Sequence, residues 1–201
     1  MLIVFEGIDG SGKNTQIGKL LVFLKQNRVK VKLHKYPTEK AVDVFEHLGG
    51  KKTVEPVKLA GIFAKDIVDE REKIAKEMAG GFVVICDRYI HSTLAYQGAM
   101  AGFGKVKALL EKEEVNIPDL VILLDVGAAL SAKRKSAQKE LDRFEKDALF
   151  LGKVRSNYLA MAKQGFCSYK YGVVDASRQA DEVFTDVITL VEPLVIKRIG
   201  K

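Results

Sequence analysis

A short glycine-rich segment near the start of the chain constrains the fold more than any other feature. Residues 7–13 read Gly-Ile-Asp-Gly-Ser-Gly-Lys, which fits the first seven positions of a P-loop. The segment follows the apolar run Leu2–Phe5 and leads into a stretch with helical spacing, Thr15–Gln26. In such a unit, backbone N–H groups and the helix N-terminus surround phosphate oxygens, and the lysine contacts the β- and γ-phosphates. The sequence therefore predicts an ATP-phosphate site formed by Gly7, Asp9, Gly10, Ser11, Gly12, Lys13, Asn14 and Thr15.

The residue after Lys13 departs from the usual pattern. A serine or threonine normally stands there, and its hydroxyl ligates Mg²⁺. Here Asn14 occupies that position and Thr15 follows it. The carbonyl oxygen of an asparagine is a hard ligand that Mg²⁺ accepts directly or through water. We expect Mg²⁺ to be held by Asn14, Thr15 and Asp87, the last of which follows an apolar run.

Apolar runs alternate with longer stretches of helical spacing along the whole chain. Runs without clean polar alternation are typical of parallel strands covered on both faces. The predicted strands are Leu2–Phe5, Val29–Leu33, Phe82–Cys86, Leu120–Leu124 and Tyr171–Val174. The predicted helices are Thr15–Gln26, Val57–Met78, Gly104–Glu114, Ala128–Gln138, Asp147–Lys163 and Ala180–Val191. This alternation predicts an α/β fold, a three-layer, doubly wound, five-stranded parallel sheet, with residues 1–201 forming a single domain.

One segment, approximately residues 133–145, carries many charges and few core residues. It contains Lys133, Arg134, Lys135, Lys139 and Arg143. It can be interpreted as a solvated helical arm. If the chain binds nucleotides, it can equally be a mobile helical lid that closes over them and excludes water.

The net charge, the lengths of the apolar runs and the cysteine spacing limit the kinds of partner that the protein can bind. The formal net charge is +7, which favours an anionic partner such as phosphorylated small molecules, a membrane surface or nucleic acid. No aromatic interleaving or RNA-binding motif accompanies the basic residues, so we expect no nucleic acid partner. No run approaches the length of a membrane span, and the N-terminus lacks a signal-peptide pattern. Cys86 and Cys167 lack metal-ligand or redox spacing, which favours a reduced, cytoplasmic protein without a membrane partner.

A second motif begins at the end of the third predicted strand and continues beyond it. Residues 85–97 read Ile-Cys-Asp-Arg-Tyr-Ile-His-Ser-Thr-Leu-Ala-Tyr-Gln. In a doubly wound sheet the carboxyl ends of the strands line the ligand crevice, where Asp87 can hold the Mg²⁺ water shell and Arg88 can bind a phosphate. An Asp-Arg pair there could also be only a structural ion pair.

The longer motif resembles the signature of the thymidylate kinase family, position by position. The opening residues 5–13 resemble that family's P-loop, and Pro37, Phe63-Ala64, residues 142–145 and residues 175–177 follow in family order. The resemblance covers nearly the whole chain. It implies transfer of the γ-phosphate of ATP to dTMP, with Mg²⁺ as cofactor, nucleotides as partners and a homodimeric assembly.

The resemblance also implies roles for individual residues. Phe63 would stack on the thymine ring, although on its sequence alone it could be a core residue. Arg88 would hold the acceptor phosphate, and Tyr96 would lie near the sugar 2′ position and disfavour a ribose hydroxyl. The remaining acceptor-site residues would be Asp9, Pro37, Ser92 and Gln97. Arg134 and the turn Asp175-Ala176-Ser177 would flank the adenine of ATP.

Three positions depart from the family pattern. The family usually carries a second basic residue beside the proline of the loop around Pro37, and here Lys35 or Lys40 would supply that charge, as a point charge and not as a fork. Ile67 stands where the family tends to carry an arginine aimed at the base, and we hypothesise that Arg71, one helical turn further on, reaches back to replace it. The P-loop interior carries no cation, so the lid would supply one, with Arg134, Arg143 and Lys139 as candidates.

Three alternatives remain open at the level of sequence. A related kinase could act on another acceptor, such as dUMP, another pyrimidine monophosphate or a deoxynucleoside. A regulatory P-loop protein would hydrolyse ATP slowly without dependence on an acceptor. A nucleic-acid-binding module would show strongly salt-dependent affinity for DNA or RNA.

Overall fold

The computed structural model describes residues 1–136 and 148–199. All five predicted strands are present, each within two residues of the predicted bounds. They are β1 (Leu2–Glu6), β2 (Val31–Lys35), β3 (Val83–Asp87), β4 (Leu120–Asp125) and β5 (Tyr171–Asp175). They form one parallel sheet in the order β2-β3-β1-β4-β5, so the predicted α/β class and strand number are confirmed.

Burial along the strands follows their place in the sheet. β1 and β3 are buried at every residue, and β4 is buried at all but its last residue. The edge strands β2 and β5 expose several residues to solvent. Helices cover both faces of the central strands, so these strands are apolar at nearly every position and appear in the sequence as unbroken apolar runs.

Helices occupy the connections and cover both faces of the sheet. α1 packs against α9, while α5 lies between α3 and α8. Their bounds are α1 (Lys13–Gln26), α2 (Val42–Leu48), α3 (Pro56–Asp69), α4 (Arg71–Ala79), α5 (Ile90–Ala101), α6 (Phe103–Leu110), α7 (Ala128–Ser136), α8 (Ala148–Gln164) and α9 (Ala180–Ile199). No helix in the described part of the chain is long and apolar enough to cross a membrane.

The prediction of one long helix over Val57–Met78 is wrong, because the helix is interrupted at Glu70 and forms two helices, α3 and α4. The N–H group of Glu70 donates to the carbonyl oxygen of Ile67, a tighter turn than an α-helix makes. The Glu70 carboxylate accepts hydrogen bonds from Lys40 at 2.8 Å and Lys73 at 2.9 Å. Glu70 therefore marks the junction between α3 and α4, and its carboxylate joins this junction to Lys40 in the loop before α2.

Two helices, α2 and α5, were not predicted. α5 is buried on most of its surface, so its sequence lacks the apolar stripe that marks an amphipathic helix. α2 is short, with only Val44 and His47 buried. Most of the predicted lid, including Lys139 and Arg143, lies outside the described residues.

Alanine substitutions at two glycines with different surroundings test how β5 packs against α9. A Cβ on Gly172 of β5 would lie 2.2 Å from Leu190 Cδ1 on α9, whereas Gly18 of α1 has nothing within 4 Å. We expect Gly172→Ala to destabilise the protein by about 1–3 kcal/mol through overpacking. Gly18→Ala should stabilise it by about 0.5–1 kcal/mol through improved helix propensity. Urea unfolding measures both, and equal effects would contradict the α9–β5 packing.

Candidate active site

The loop after β1 has the backbone geometry that its glycines predict. Gly7, Gly10 and Gly12 have φ angles of 142°, 75° and 93°, which side chains other than glycine rarely adopt. A Cβ on Gly10 would lie 2.5 Å from the carbonyl oxygen of Ser131 on α7. The Ser131 hydroxyl also donates to the carbonyl oxygen of Asp9. α7, whose last residues overlap the start of the predicted lid, is therefore packed directly on this loop through Ser131.

Lys13 is folded into the loop that it follows. Its side chain is only 7% exposed, and its Nζ donates to the carbonyl oxygens of Gly7 at 2.9 Å and Ile8 at 3.2 Å. Burial, helped by the positive charge of Arg88, lowers the pKa of Lys13 to about 8. The ammonium therefore lies inside the loop, where a bound phosphate could exchange for these carbonyl groups.

The carboxylate of Asp87 has the properties expected of a Mg²⁺ ligand. It is buried at the end of β3, and no donor among the described residues bonds to its Oδ1 atom. Its Oδ2 atom lies 3.8 Å from the Nζ of Lys35. Asn14 and Thr15 are exposed in the first turn of α1. A buried carboxylate whose Oδ1 has no donor among the described residues fits Mg²⁺, because this ion is usually bound through one or two carboxylates together with phosphate oxygens and water.

A separate cavity of about 270 Å³ opens beside the P-loop, between α3 and α5. Phe63 and Ile67 on α3 line it, and Ile67 is only 2% exposed. Eight of the nine residues predicted for the acceptor line this cavity: Asp9, Pro37, Phe63, Ile67, Arg88, Ser92, Tyr96 and Gln97. Sequence reasoning missed other lining residues, among them His47, Leu48, Leu59, Thr93, Met100 and Phe150.

Arg88 is held in place by its neighbours. Its guanidinium donates to Asp9 Oδ1 at 2.7 Å and to Ser92 Oγ at 2.9 Å. The guanidinium also lies 5.4 Å from the ring centroid of Tyr96, whose hydroxyl donates to Asp9 Oδ2 at 3.3 Å. Asp9 belongs to the P-loop, so this ion pair joins the loop to the cavity. The planar, fixed charge suits a phosphate ligand.

The buried carboxylate of Glu6 supports this arrangement, and sequence reasoning missed its role. It accepts hydrogen bonds from the N–H of Tyr89 at 2.8 Å, the hydroxyl of Ser92 at 2.6 Å and the hydroxyl of Tyr158 at 2.9 Å. Burial raises the pKa of Glu6, while the charge of Arg88 and the hydroxyl groups of Ser92 and Tyr158 oppose that rise. An acidic residue that ends an apolar strand was the available signal.

Arg71 is the one residue predicted for the acceptor that the structure places away from this cavity. Its guanidinium bonds to the carboxylate of Glu114, and its side chain does not line the described cavity. Arg71 is the first residue of α4, directly after the interruption at Glu70. That Arg71 replaces the base contact missing at position 67 stays a prediction.

The other predicted basic residues also have defined places. Arg134 donates to the carbonyl oxygens of Ala176 at 2.7 Å and Ser177 at 3.2 Å, so it contacts the predicted adenine-flanking turn, which includes Asp175. Lys40 pairs with Glu70, at the junction of α3 and α4. Lys35 is the lysine near Asp87. Arg143 and Lys139 lie outside the described residues.

A parallel sheet with a P-loop at the end of β1, beside a second cavity that offers an arginine and an aromatic ring, defines a P-loop kinase of the nucleoside-monophosphate type. The family model described as "Thymidylate kinase" matches residues 5–187. The chain is 37% identical over 193 residues to the probable thymidylate kinase of Pyrobaculum calidifontis, covering 96% of each chain. It is 33% identical over 203 residues to the thymidylate kinase of Thermosipho africanus, covering 96% of this chain and 98% of that one. The chain therefore belongs to the thymidylate kinase family.

The position of Lys13 generates a first test of the site. We expect Lys13→Ala to lower kcat by about a hundredfold or more, because the ammonium would stabilise charge that develops on the β/γ-phosphate oxygens. Circular dichroism should show an unchanged fold. A variant that folds and keeps near-normal turnover would contradict the phosphate site.

The lowered pKa of Lys13 generates a second test. Below pH 8 the ammonium is charged, and as pH rises through about 8 the free enzyme should lose that charge. We expect kcat/KM for ATP, which reports ionisations of the free enzyme, to fall over this range. Lys13→Arg, although less active, should lose this alkaline decline. A wild-type profile that stays flat to pH 9.5 would show that the lysine is not perturbed.

Proposed function

We propose that this protein transfers the γ-phosphate of ATP to dTMP, giving dTDP and ADP. The observation that carries the proposal is the 2.7 Å bond between Asp9 and Arg88. It brings the P-loop and the acceptor cavity into direct contact, so a donor phosphate at Lys13 and an acceptor phosphate at Arg88 would be neighbours. Phe63 offers the base an aromatic surface on which to stack.

The reaction follows from this placement. An oxygen of the acceptor phosphate attacks the γ-phosphorus, and the bond from that phosphorus to the β,γ-bridging oxygen breaks as ADP leaves. Arg88 orients the acceptor phosphate, and Lys13 neutralises charge on the β/γ oxygens. Mg²⁺, held by Asp87 with Asn14 or Thr15, would supply further neutralisation when bound. Phosphoryl transfer needs this positioning more than it needs covalent chemistry.

The remaining expectations complete the proposal. We expect a homodimer that binds small-molecule nucleotides and not nucleic acid. Cys86 and Cys167 are both free thiols, which supports a reducing, cytoplasmic location. We also expect residues 1–201 to act as one domain with a lid over residues 133–145.

A broader acceptor range is the second candidate, and the burial of Ile67 in the cavity favours it. An aliphatic side chain cannot hydrogen-bond to the base as an arginine would, so dUMP would be used nearly as well as dTMP. The test is a coupled ATP-consumption assay with dTMP, dUMP, dCMP, dGMP and UMP. Acceptor-independent hydrolysis alone would contradict the kinase assignment.

The absence of a cation inside the P-loop generates a further prediction. We expect alanine at Arg134, Lys139 or Arg143 to lower kcat by about 10³ or more at one position at least, with little change in KM for ATP. Arg134→Ala should instead weaken ATP binding if its contacts with the 175–177 turn persist in the complex. Three variants with wild-type kcat would contradict the lid as the source of the cation.

A further inference from the structure

Two hydroxyl groups contact the guanidinium of Arg88. Its Nη1 atom donates to Ser92 Oγ at 2.9 Å and to the hydroxyl oxygen of Tyr158 at 3.5 Å. Its Nη2 atom donates to Asp9 of the P-loop at 2.7 Å. A hydroxyl oxygen accepts such a bond only when its own proton points elsewhere. The directions of the two hydroxyl protons therefore decide how firmly Arg88 is held.

Both hydroxyl groups also contact the carboxylate of Glu6. Its Oε2 atom accepts from Ser92 Oγ at 2.6 Å and from the Tyr158 hydroxyl at 2.9 Å. The two hydroxyl oxygens lie 2.8 Å apart, so the Tyr158 proton has Glu6 and Ser92 as acceptors, and in both cases it points away from Arg88. The charge of Arg88 favours the ionised form of Glu6, which offers only acceptors. Glu6 thereby leaves lone pairs of both hydroxyl oxygens to Arg88.

The other oxygen of this carboxylate holds the backbone beside Arg88. Glu6 Oε1 accepts hydrogen bonds from the N–H of Tyr89 at 2.8 Å and from the N–H of Ser92 at 3.2 Å. Arg88 has a φ angle of 70°, which residues other than glycine rarely adopt and which persists only where the surrounding structure holds it. One carboxylate therefore supports both the backbone and the side chain of Arg88.

We propose that Glu6 is a positioning residue, which orients the hydroxyl groups of Ser92 and Tyr158 so that Arg88 is fixed for the acceptor phosphate. This proposal rests on the proposed function and deepens it, because it assigns Glu6 to the acceptor half of the reaction. The side chain of Glu6 is fully buried, with 0% exposed. It therefore acts on the substrate through Arg88 and not by contact.

Glu6→Gln tests the orientation of the hydroxyl groups with little change of shape. The amide oxygen should stay on the Oε1 side, because two backbone N–H groups donate there. The amide nitrogen then faces the two hydroxyl oxygens and donates to them, so it competes with Arg88 for their lone pairs. Glu77→Gln is the matched control, because Glu77 is another largely buried carboxylate and its partner is His34, at 2.7 Å.

The Michaelis constants for the two substrates separate the acceptor site from the ATP site. Assays at pH 7 lie below the pKa of Lys13, which is about 8. We expect Glu6→Gln to raise KM for dTMP about ten- to a hundredfold, the effect of weakened hydrogen bonds to a charged group. KM for ATP should change by less than about threefold. Glu77→Gln should change neither constant.

Ser92→Ala in both backgrounds distinguishes orientation of the hydroxyl groups from the charge of Glu6 alone. In the wild type this substitution removes an acceptor of Arg88, so it should raise KM for dTMP. In Glu6→Gln the amide already engages that acceptor, so Ser92→Ala should add less than about twofold. Fully additive effects would show that Glu6 acts by its charge alone and would overturn the proposal.

Two other results would also overturn it. One is an unchanged KM for dTMP in a folded Glu6→Gln variant, and the other is an equal rise in KM for dTMP and for ATP, which would assign Glu6 a general structural role. If Glu6→Gln does not fold, Ser92→Ala combined with Tyr158→Phe keeps the carboxylate but removes both hydroxyl groups, and an unchanged KM for dTMP would again contradict the proposal. A wild-type protein that does not phosphorylate dTMP would instead contradict the proposed function, and that assay precedes any variant.

Discussion

The pairing of β1 with both β3 and β4 is the constraint on which the rest of the site depends. Phe5 lies opposite Asp87 on one side and Ile122 on the other, and the N–H of Arg88 donates to the carbonyl oxygen of Phe5. A shift of one residue in this parallel register would turn the side chains at the strand ends to the opposite face. Because the three strands are fully buried over almost their whole length, apolar burial resists such a shift.

This register places several ionisable groups together at the carboxyl ends of the central strands. Glu6 ends β1 and Asp87 ends β3, while Arg88 follows with a positive φ of 70°. The buried Glu6 carboxylate binds the backbone of Tyr89 and the hydroxyl of Ser92, so it organises the turn into α5. Arg88 in turn meets Asp9 of the P-loop. The P-loop and the cavity lined by Arg88 are thereby held together by hydrogen bonds to charged groups, which are stronger than those between neutral groups.

The sequence was most informative where local chemistry decides the structure. The P-loop glycines and the apolar strands could be predicted, because their side-chain types reflect backbone geometry or burial directly. The residues predicted to line the cavity beside the P-loop came from the family resemblance, and others that line it, such as Thr93 and Phe150, gave no signal in the sequence. The interruption at Glu70 could not be predicted, because no glycine or proline marks it and one partner of its carboxylate, Lys40, is distant in sequence. His47 gave no local signal either. Its place in the cavity depends on the packing of α2 against α3, which is a tertiary contact.

The central claim is that the P-loop and the Arg88 cavity bind the two substrates of one transfer reaction. A dinucleotide in which adenosine and thymidine are joined by five phosphates tests this claim most directly in a crystal structure of the complex. We expect its phosphates to run from Lys13 to Arg88, with adenine beside the turn at residues 175–177 and thymine against Phe63. Thymidine bound outside the cavity lined by Phe63 and Arg88 would contradict the account.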